Sequence, residues 1–312
     1  MRMVSVAVTP TLVRSPGRHL VVLGGPRRAE YLGIRGGIRL MGLQGAKGIA
    51  RWLERKAGEG NEGATRAMEL LGAGMSVDAV QWLLKWVDEH TDERCARDSV
   101  AEHYAGIGTV SAAAAAVWPG AKTVFLAEQD DDARACLRAC HRGTKIWRDS
   151  HSEAALAAFP ERVWLMAAGF PCQPHSGLAA EDEDEIDANI DRLGLALRPL
   201  QRGAADAVLL ENAPGLLHRG LERLTELLMA LDKYEWNMAI LDPCVHLDVP
   251  MARERVYIVG LRKAIAKHTG AGDDGADAED GAPPPRRRSR LATESTTRRT
   301  SRTEGLPPDG DA

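Results

Sequence analysis

The sequence predicts a doubly wound α/β fold with a mostly parallel sheet. Four short segments between residues 95 and 262 are rich in β-forming residues and nearly continuous in apolar character: TVFLAE, RVWLMAAG, AVLLEN and RVYIVG. Such runs are typical of central strands that are buried on both faces. Amphipathic stretches such as EQDDDARACLRACH and GLERLTELLMALDKY lie between them and predict helices. This alternation indicates a parallel sheet with helices on both faces.

The composition narrows the class of protein. The chain has 312 residues, enough for one large α/β domain or two small ones, and a formal net charge of −4, which predicts no strong attraction to nucleic acid. Its five cysteines are odd in number and dispersed without a Cys-x-x-Cys pair, which argues against a disulfide framework and a structural zinc site. No apolar run approaches the length of a membrane span. We therefore expect an intracellular protein, nuclear or cytoplasmic, without a bound metal or a membrane partner.

Changes in composition divide the chain into four segments. Residues 1–18 contain arginines but no acid, and are expected to be flexible. Residues 19–90 show helical patterns, as in AVQWLLKWV, where apolar residues recur on one face. Residues 91–263 hold the α/β domain. Residues 264–312 have almost no large apolar residue and predict a disordered tail, whose PPPRRRSR run fits an import signal, a phosphate-binding arm or a solvated charge run.

Three strand ends of the predicted sheet carry residues suited to a nucleoside ligand. The first is followed by YAGIG, Tyr104 to Gly108, whose glycines permit a tight turn close to a ligand. Glu128 follows the next strand and can accept hydrogen bonds from ribose hydroxyls. Asp149, in the third loop, could meet an adenine amino group. Each also has a simpler explanation, since a packing turn needs glycine and an acid often caps a helix.

Cys172 lies in AGFPCQPHS, directly after the predicted strand RVWLMAAG. A lone cysteine is most often structural, but Pro171 and Pro174 restrict this loop, which suits a nucleophile that must be held in place. The next strand ends in ENAPG and directs Glu211, a candidate proton donor, to the same cleft. Arg253 and Arg255 alternate with their neighbours at the start of RVYIVG, so both can face one side and hold an anionic or carbonyl-bearing substrate.

Together these stretches resemble the cytosine carbon-5 DNA methyltransferase family. GFPCQPHS is similar to its Pro-Cys-Gln loop, ENAPGLL to its Glu-Asn-Val motif, VPMARERVYIVG to its Gln-x-Arg-x-Arg strand, and YAGIG to its cofactor turn. The four motifs occur in family order. Segment 19–90 contains IRLMGLQG and LLGAGMSVDAVQWLLKWV, which resemble the family's closing motifs. Because those motifs come first here, the resemblance implies a circular permutation.

The resemblance implies a Rossmann-like methyltransferase fold, S-adenosylmethionine as cofactor and DNA as substrate. Cys172 would attack carbon 6 of a flipped-out cytosine, and carbon 5 would then take the methyl group. Glu211 would protonate ring nitrogen 3, while Arg253 and Arg255 would hold the base carbonyl, the phosphate backbone and the active-site loop. The residues that would bind the cofactor are Tyr104, Gly106, Ile107, Gly108, Glu128, Asp149 and Pro171.

Some positions depart from the family pattern. Met251 stands where the family has a glutamine before the arginines. Gln129 stands where the family often has a large apolar residue, and Ala73 stands where it has an asparagine. The charged pair Glu102 and His103 stands where an apolar strand is expected. A target-recognition segment is not evident. Three alternatives therefore stay open: a degenerate or regulatory subunit that needs a DNA-recognition partner, an RNA cytosine-5 methyltransferase, and a nucleoside-binding enzyme without methyl transfer.

Overall fold

The computed structural model describes residues 20–22, 29–171 and 183–267. A two-stranded antiparallel sheet is formed by β1 (Leu20–Val22) and β2 (Ala29–Tyr31). The strands of the main sheet are β3 (Ser99–His103), β4 (Lys122–Ala127), β5 (Ile146–Trp147), β6 (Val163–Gly169), β7 (Ala205–Asn212), β8 (Tyr234–Leu241) and β9 (Arg255–Arg262). The helices are α1 (Ile34–Leu40), α2 (Lys47–Ala57), α3 (Asn61–Ala73), α4 (Val77–Glu89), α5 (Thr109–Val117), α6 (Asp131–Cys140), α7 (Glu153–Ala157), α8 (Glu183–Gln201), α9 (Leu216–Arg219), α10 (Leu221–Met229) and α11 (Pro243–His246).

The main sheet has the order β5-β4-β3-β6-β7-β9-β8. The chain builds outward from β3 through β4 to β5, then returns to the centre and builds the other way from β6. The order therefore reverses between β3 and β6, which opens a crevice at the carboxyl ends of these strands. The predicted α/β fold with a mostly parallel sheet is confirmed.

The direction of β9 corrects one expectation. RVYIVG was expected to be a parallel strand, but β9 runs antiparallel to both of its neighbours, β7 and β8. An apolar run indicates that a strand is buried on both faces, and this burial is the same for a parallel and an antiparallel strand. Because β9 is reversed, it begins at the edge where the parallel strands end, and Tyr257 pairs with Glu211 of β7. The reversal is what brings the arginines before β9 to the crevice.

Two hydrophobic clusters cover the two faces of the sheet. One contains buried residues of α1 to α6 and of β6, β7 and β9, and the other contains those of α7, α8 and α10. The apolar stripe of α4, Val80, Leu83, Leu84 and Val87, is at most 3% exposed. Ser76 caps this helix, because its hydroxyl accepts a hydrogen bond from the Ala79 amide. The first four helices thus belong to the same core as the α/β segment.

A charged cluster also attaches the N-terminal helices to α6. The Arg66 guanidinium of α3 pairs with Asp130 and, at 2.8 Å, with Asp132. Lys56 of α2 lies 3.3 Å from the Asp132 carboxylate. Asp130 caps α6 by accepting from the Ala133 amide at 3.0 Å. The helices before β3 therefore hold the loop that follows β4.

The structure explains the charged pair in β3. Glu102 and His103 point to opposite faces of the sheet. Glu102 accepts hydrogen bonds from the Ser111 amide, at 2.7 Å, and from the Ser111 hydroxyl, so it satisfies the first turn of α5. His103 packs between Phe125 and Phe159, with ring centroids 5.0 and 5.6 Å away.

Within the described ranges, no helix is long and apolar enough to cross a membrane.

Glu102 and His103 predict opposite pH dependences of stability. Burial raises the pKa of Glu102 from 4.5 to about 7, so its contribution to the free energy of unfolding falls as pH rises through that window. Burial lowers the pKa of His103 from 6.5 to about 3, so its contribution falls as pH drops through that window. The two slopes oppose each other between pH 4.5 and 6.5.

Single substitutions should separate the two slopes. In His103→Phe, urea unfolding should show stability falling by about 3 kcal/mol or less as pH rises toward neutrality, the upper bound set by the Glu102 shift. In Glu102→Gln, stability should instead rise with pH over the histidine window. Identical pH profiles in both variants and the parent would contradict the assignment.

Candidate active site

A cleft opens at the carboxyl ends of the central strands. It lies where the strand order reverses, the position favoured for ligands in such sheets. Four parts of the chain line it: the turn between α3 and α4, the turn from β3 into α5, the end of β6 and the end of β7. The lining residues are Ala73, Gly74, Met75, Glu102, His103, Tyr104, Ala105, Gly106, Thr109, Val110, Ala167, Gly169 and Glu211.

The glycine turn after β3 has left-handed backbone at three residues. Tyr104, Gly106 and Gly108 have φ of 53°, 54° and 83°. A side chain at Gly106 would meet nothing within 4 Å, so open space adjoins the backbone there. Gly108 instead packs against Leu137 and His141, and Ile107 is fully buried in the core. Of the predicted residues in this turn, Tyr104 and Gly106 line the cleft.

Glu128 is bound to this turn. Its carboxylate accepts from the Gly106 amide at 2.7 Å through Oε2 and from the Asp130 amide at 2.8 Å through Oε1. The second lone pair on each oxygen can still accept from a ligand hydroxyl. The acid after β4 and the glycine turn after β3 therefore form one unit.

Asp149 lies beside the cleft and is joined to it through His151. Its Oδ1 accepts from the His151 amide at 2.8 Å and lies 3.2 Å from His151 Nδ1. On the other side of the ring, His151 Nε2 lies 2.7 Å from the Tyr104 hydroxyl. The helix that follows is capped by Ser152, not by Asp149.

Cys172 lies outside the described residues, but the backbone that leads to it is fixed. Asn212 Nδ2, at the end of β7, donates to the Phe170 carbonyl at 3.3 Å. Asn189 Nδ2, in α8, donates to the Pro171 carbonyl at 2.6 Å. The loop that carries Cys172 thus leaves the sheet from a site held by two asparagine amides.

Glu211 and Arg255 form an ion pair at the cleft. Arg255 Nε lies 3.0 Å from Glu211 Oε1, and the two side chains are 17% and 11% exposed. Gly169 of β6 packs beside them: a Cβ there would lie 3.5 Å from Glu211 Oε2 and 2.8 Å from Met75 Cε. Only glycine lets the chain pass this close.

Arg253 binds a different part of the molecule. It is 3% exposed, and its Nη2 donates to the Gly74 carbonyl at 2.8 Å. Its backbone amide donates to Asp242 Oδ1 at 3.2 Å. Arg255 therefore joins Glu211, while Arg253 joins the turn between α3 and α4.

Several site residues were not predicted from the sequence. Gly74 and Met75 enter the cleft from the N-terminal segment, where the Met75 amide donates to Thr109 Oγ1 at 3.2 Å. The sequence did not single out Asn189, because it lies in an acidic amphipathic helix without a recognisable motif. His151 is an isolated histidine in a loop. In the described part of the chain, no group of three or more histidine, cysteine or acidic residues could hold a metal ion.

Three bacterial enzymes share sequence with this chain. It is 28% identical to the type II methyltransferase M.HpaII of Haemophilus parainfluenzae over 149 residues, which cover 46% of this chain and 41% of that enzyme. It is 28% identical to M.PspPI of a Psychrobacter species, covering 57% and 42%, and 28% identical to M.NlaX of Neisseria lactamica, covering 51% and 50%. The chain therefore spans half or less of the length of these relatives.

Two solved methyltransferase structures are similar to parts of this chain. The Entamoeba histolytica methyltransferase EhMeth is 14% identical with a TM-score of 0.41, over 54% of this chain and 53% of that one. The Dnmt2 methyltransferase of S. pombe is 19% identical with a TM-score of 0.42, over 54% and 50%.

The family assignment comes from the sequence. The family model described as C-5 cytosine-specific DNA methylase matches residues 99–298, which is more than half of the chain. The match begins at β3 and includes the glycine turn, the Cys172 loop, Glu211 and both arginines. The chain belongs to the C-5 cytosine-specific DNA methylase family.

Proposed function

We propose that this chain is the catalytic core of a DNA cytosine carbon-5 methyltransferase that acts through a covalent cysteine adduct. One observation carries the proposal. The Glu128-bound glycine turn, the Glu211–Arg255 pair and the anchored start of the Cys172 loop all lie at one edge of the sheet. A nucleoside site, an acid and a nucleophile are the parts that this reaction requires.

The glycine turn fits the cofactor of the family, S-adenosylmethionine. The open space at Gly106 admits a ligand against the backbone, and Glu128 presents acceptors suited to ribose hydroxyls. Asp149 would accept from the adenine amino group. When bound, S-adenosylmethionine supplies an electrophilic methyl group on its sulfonium.

The protein side chains would act on the cytosine. The Cys172 thiolate forms a bond to carbon 6, and Glu211 gives a proton to ring nitrogen 3, so that the electron pair of the ring double bond becomes available at carbon 5. After methyl transfer, the carbon 5 proton leaves to solvent and the Cys172 sulfur departs from carbon 6 with its electron pair. Ring nitrogen 3 returns its proton to the Glu211 carboxylate, and the aromatic ring is restored. Arg255 holds the Glu211 carboxyl in place through the 3.0 Å contact.

Arg253 would act mainly as a support in this scheme. Its guanidinium holds the Gly74 carbonyl, so the turn between α3 and α4 closes the cofactor side of the cleft. This contact also supports a circularly permuted arrangement, in which residues 19–90 supply the family's closing elements. A separate recognition subunit is the corresponding proposal for sequence specificity.

The test is trapping with 5-fluorocytosine DNA in the presence of S-adenosylmethionine. Fluorine at carbon 5 cannot leave as a proton would, so the cysteine adduct persists and survives denaturing electrophoresis. The parent protein should form the adduct and Cys172→Ser should not. Cys95→Ser, a change at a partly buried cysteine outside the cleft, is the matched control.

Transfer of a labelled methyl group to DNA and to RNA identifies which polymer is the substrate. Labelled DNA that is no longer formed by Cys172→Ser supports the proposal. If only RNA is labelled, the substrate is RNA and not DNA. Turnover that survives in Cys172→Ser would overturn the covalent mechanism. Cofactor binding without label on either polymer indicates a core that needs a recognition partner.

A further inference from the structure

Three side chains form a continuous chain of contacts that leads from Tyr104, in the cleft lining, to the loop after β5. The Tyr104 hydroxyl lies 2.7 Å from His151 Nε2, and His151 Nδ1 lies 3.2 Å from Asp149 Oδ1. Tyr104 directly follows β3 and Asp149 follows β5, two strands away in the sheet. His151 thus joins two parts of the proposed cofactor site that are not adjacent in the sheet.

The chemistry of the three groups indicates which atoms carry protons in these contacts. A carboxylate only accepts, so His151 Nδ1 carries the proton toward Asp149. Nε2 of a neutral imidazole then accepts, and the Tyr104 hydroxyl donates to it. Burial lowers the pKa of His151, in agreement with a neutral ring. One tautomer satisfies both contacts.

This arrangement leaves a defined position for a ligand. Asp149 Oδ1 is engaged by the His151 amide and ring, whereas Oδ2 has no hydrogen bond from the described residues, and the side chain is 59% exposed. Tyr104 holds a left-handed φ of 53°, uncommon for a residue with a side chain, and its hydroxyl is tied by the same histidine. Both ends of the chain of contacts are thereby oriented.

We infer that His151 is a positioning residue that orients the Asp149 carboxylate for the exocyclic amine of the cofactor's purine, and so determines selectivity for a 6-amino over a 6-oxo base. The inference rests on the proposed function, because Asp149 is assigned to adenine there. A carboxylate accepts from an amine and repels a carbonyl oxygen, so its orientation controls discrimination. His151 itself touches only protein in this scheme.

The experiment measures binding of S-adenosylhomocysteine and of its 6-oxo analogue, the inosine compound, by isothermal titration calorimetry. His151→Leu should weaken the binding of S-adenosylhomocysteine about tenfold, which corresponds to the loss of one charged hydrogen bond. The binding of the inosine compound should be nearly unchanged. The preference for the amino base should therefore fall by about the same factor. His246→Leu, at an exposed histidine in α11, is the matched control.

Two further variants separate positioning from folding. His151→Asn keeps an amide donor near the position of Nδ1 and should retain most of the selectivity. Tyr104→Phe keeps the ring but removes the hydroxyl, and should weaken S-adenosylhomocysteine without adding to the effect of His151→Leu.

The outcomes distinguish this inference from the proposed function. Unchanged selectivity in His151→Leu, with the parent protein binding normally, overturns the role of His151 and leaves the methyltransferase proposal intact. Equal weakening of both ligands also overturns it, since that is the signature of a general loss of structure. A parent protein that binds neither ligand refutes the proposed cofactor site, and the inference falls with it.

Discussion

A chain that begins at residue 91 is expected to lose the native fold, whereas a chain that begins at residue 32 should keep it. The shorter chain lacks α1 to α4, whose buried residues share one core with β6, β7 and β9. Without them, one face of these strands would meet water. The free energy of folding of a domain is only about 5–15 kcal/mol, which cannot compensate for the loss of a helical layer. Far-ultraviolet circular dichroism and thermal unfolding of both proteins measure the difference.

A single substitution tests the same dependence without deletion. Leu84 in α4 is fully buried, so Leu84→Ala should cost about 2–5 kcal/mol of unfolding free energy. Leu195, 42% exposed in α8, is the matched control and should cost far less when changed to alanine. A stable, cofactor-binding fragment starting at residue 91 would refute both the shared core and the permuted role of residues 19–90.

Burial patterns in the sequence were sufficient to predict the central elements. The apolar runs that became β6, β7 and β9 are buried along nearly their whole length, and the last three residues of β4 are buried too, which leaves a direct trace in the sequence. Strand direction leaves no such trace, which is why the antiparallel β9 was not predicted. The edge strand β8 was also missed, since most of its residues are partly or fully exposed. Its residues Tyr234, Trp236, Met238 and Ile240 do alternate with their neighbours, which is a strand pattern, but the predicted helix GLERLTELLMALDKY extended into it.

Contacts between distant segments were the least predictable part of the site. Arg253 was assigned to the substrate from its spacing, but its guanidinium binds the Gly74 carbonyl, 179 positions earlier in the sequence. Backbone carbonyls have no sequence signature, so only the fold reveals such a partner. Glu128 was predicted from its distance to the glycine turn, and the structure joins them directly. The assignments to Cys172, to residues 1–18 and to the tail beyond residue 267 lie outside the described residues and stay predictions.

Glu211→Gln is expected to reduce methyl transfer by about 10²–10⁴-fold, the range for loss of a positioned acid. Glutamine keeps the shape and can accept from Arg255, but it cannot give a proton to ring nitrogen 3. Binding of S-adenosylhomocysteine should be unchanged, since Glu128 and the glycine turn lie outside the substitution. Single-turnover transfer of labelled methyl, relative to the parent protein, measures the loss. Glu226→Gln, which breaks the exposed pair with Arg223, is the matched control.

Stability must be separated from chemistry, because the substitution also leaves a guanidinium without its counter-charge. Arg255 is 17% exposed, so Glu211→Gln should destabilise the protein as well as slow it. Adding Arg255→Gln removes the unpaired charge and should recover part of the lost stability. It should recover none of the activity, because the proton donor is still missing. If the double variant regains both together, Glu211 supports the fold and does not act on the base.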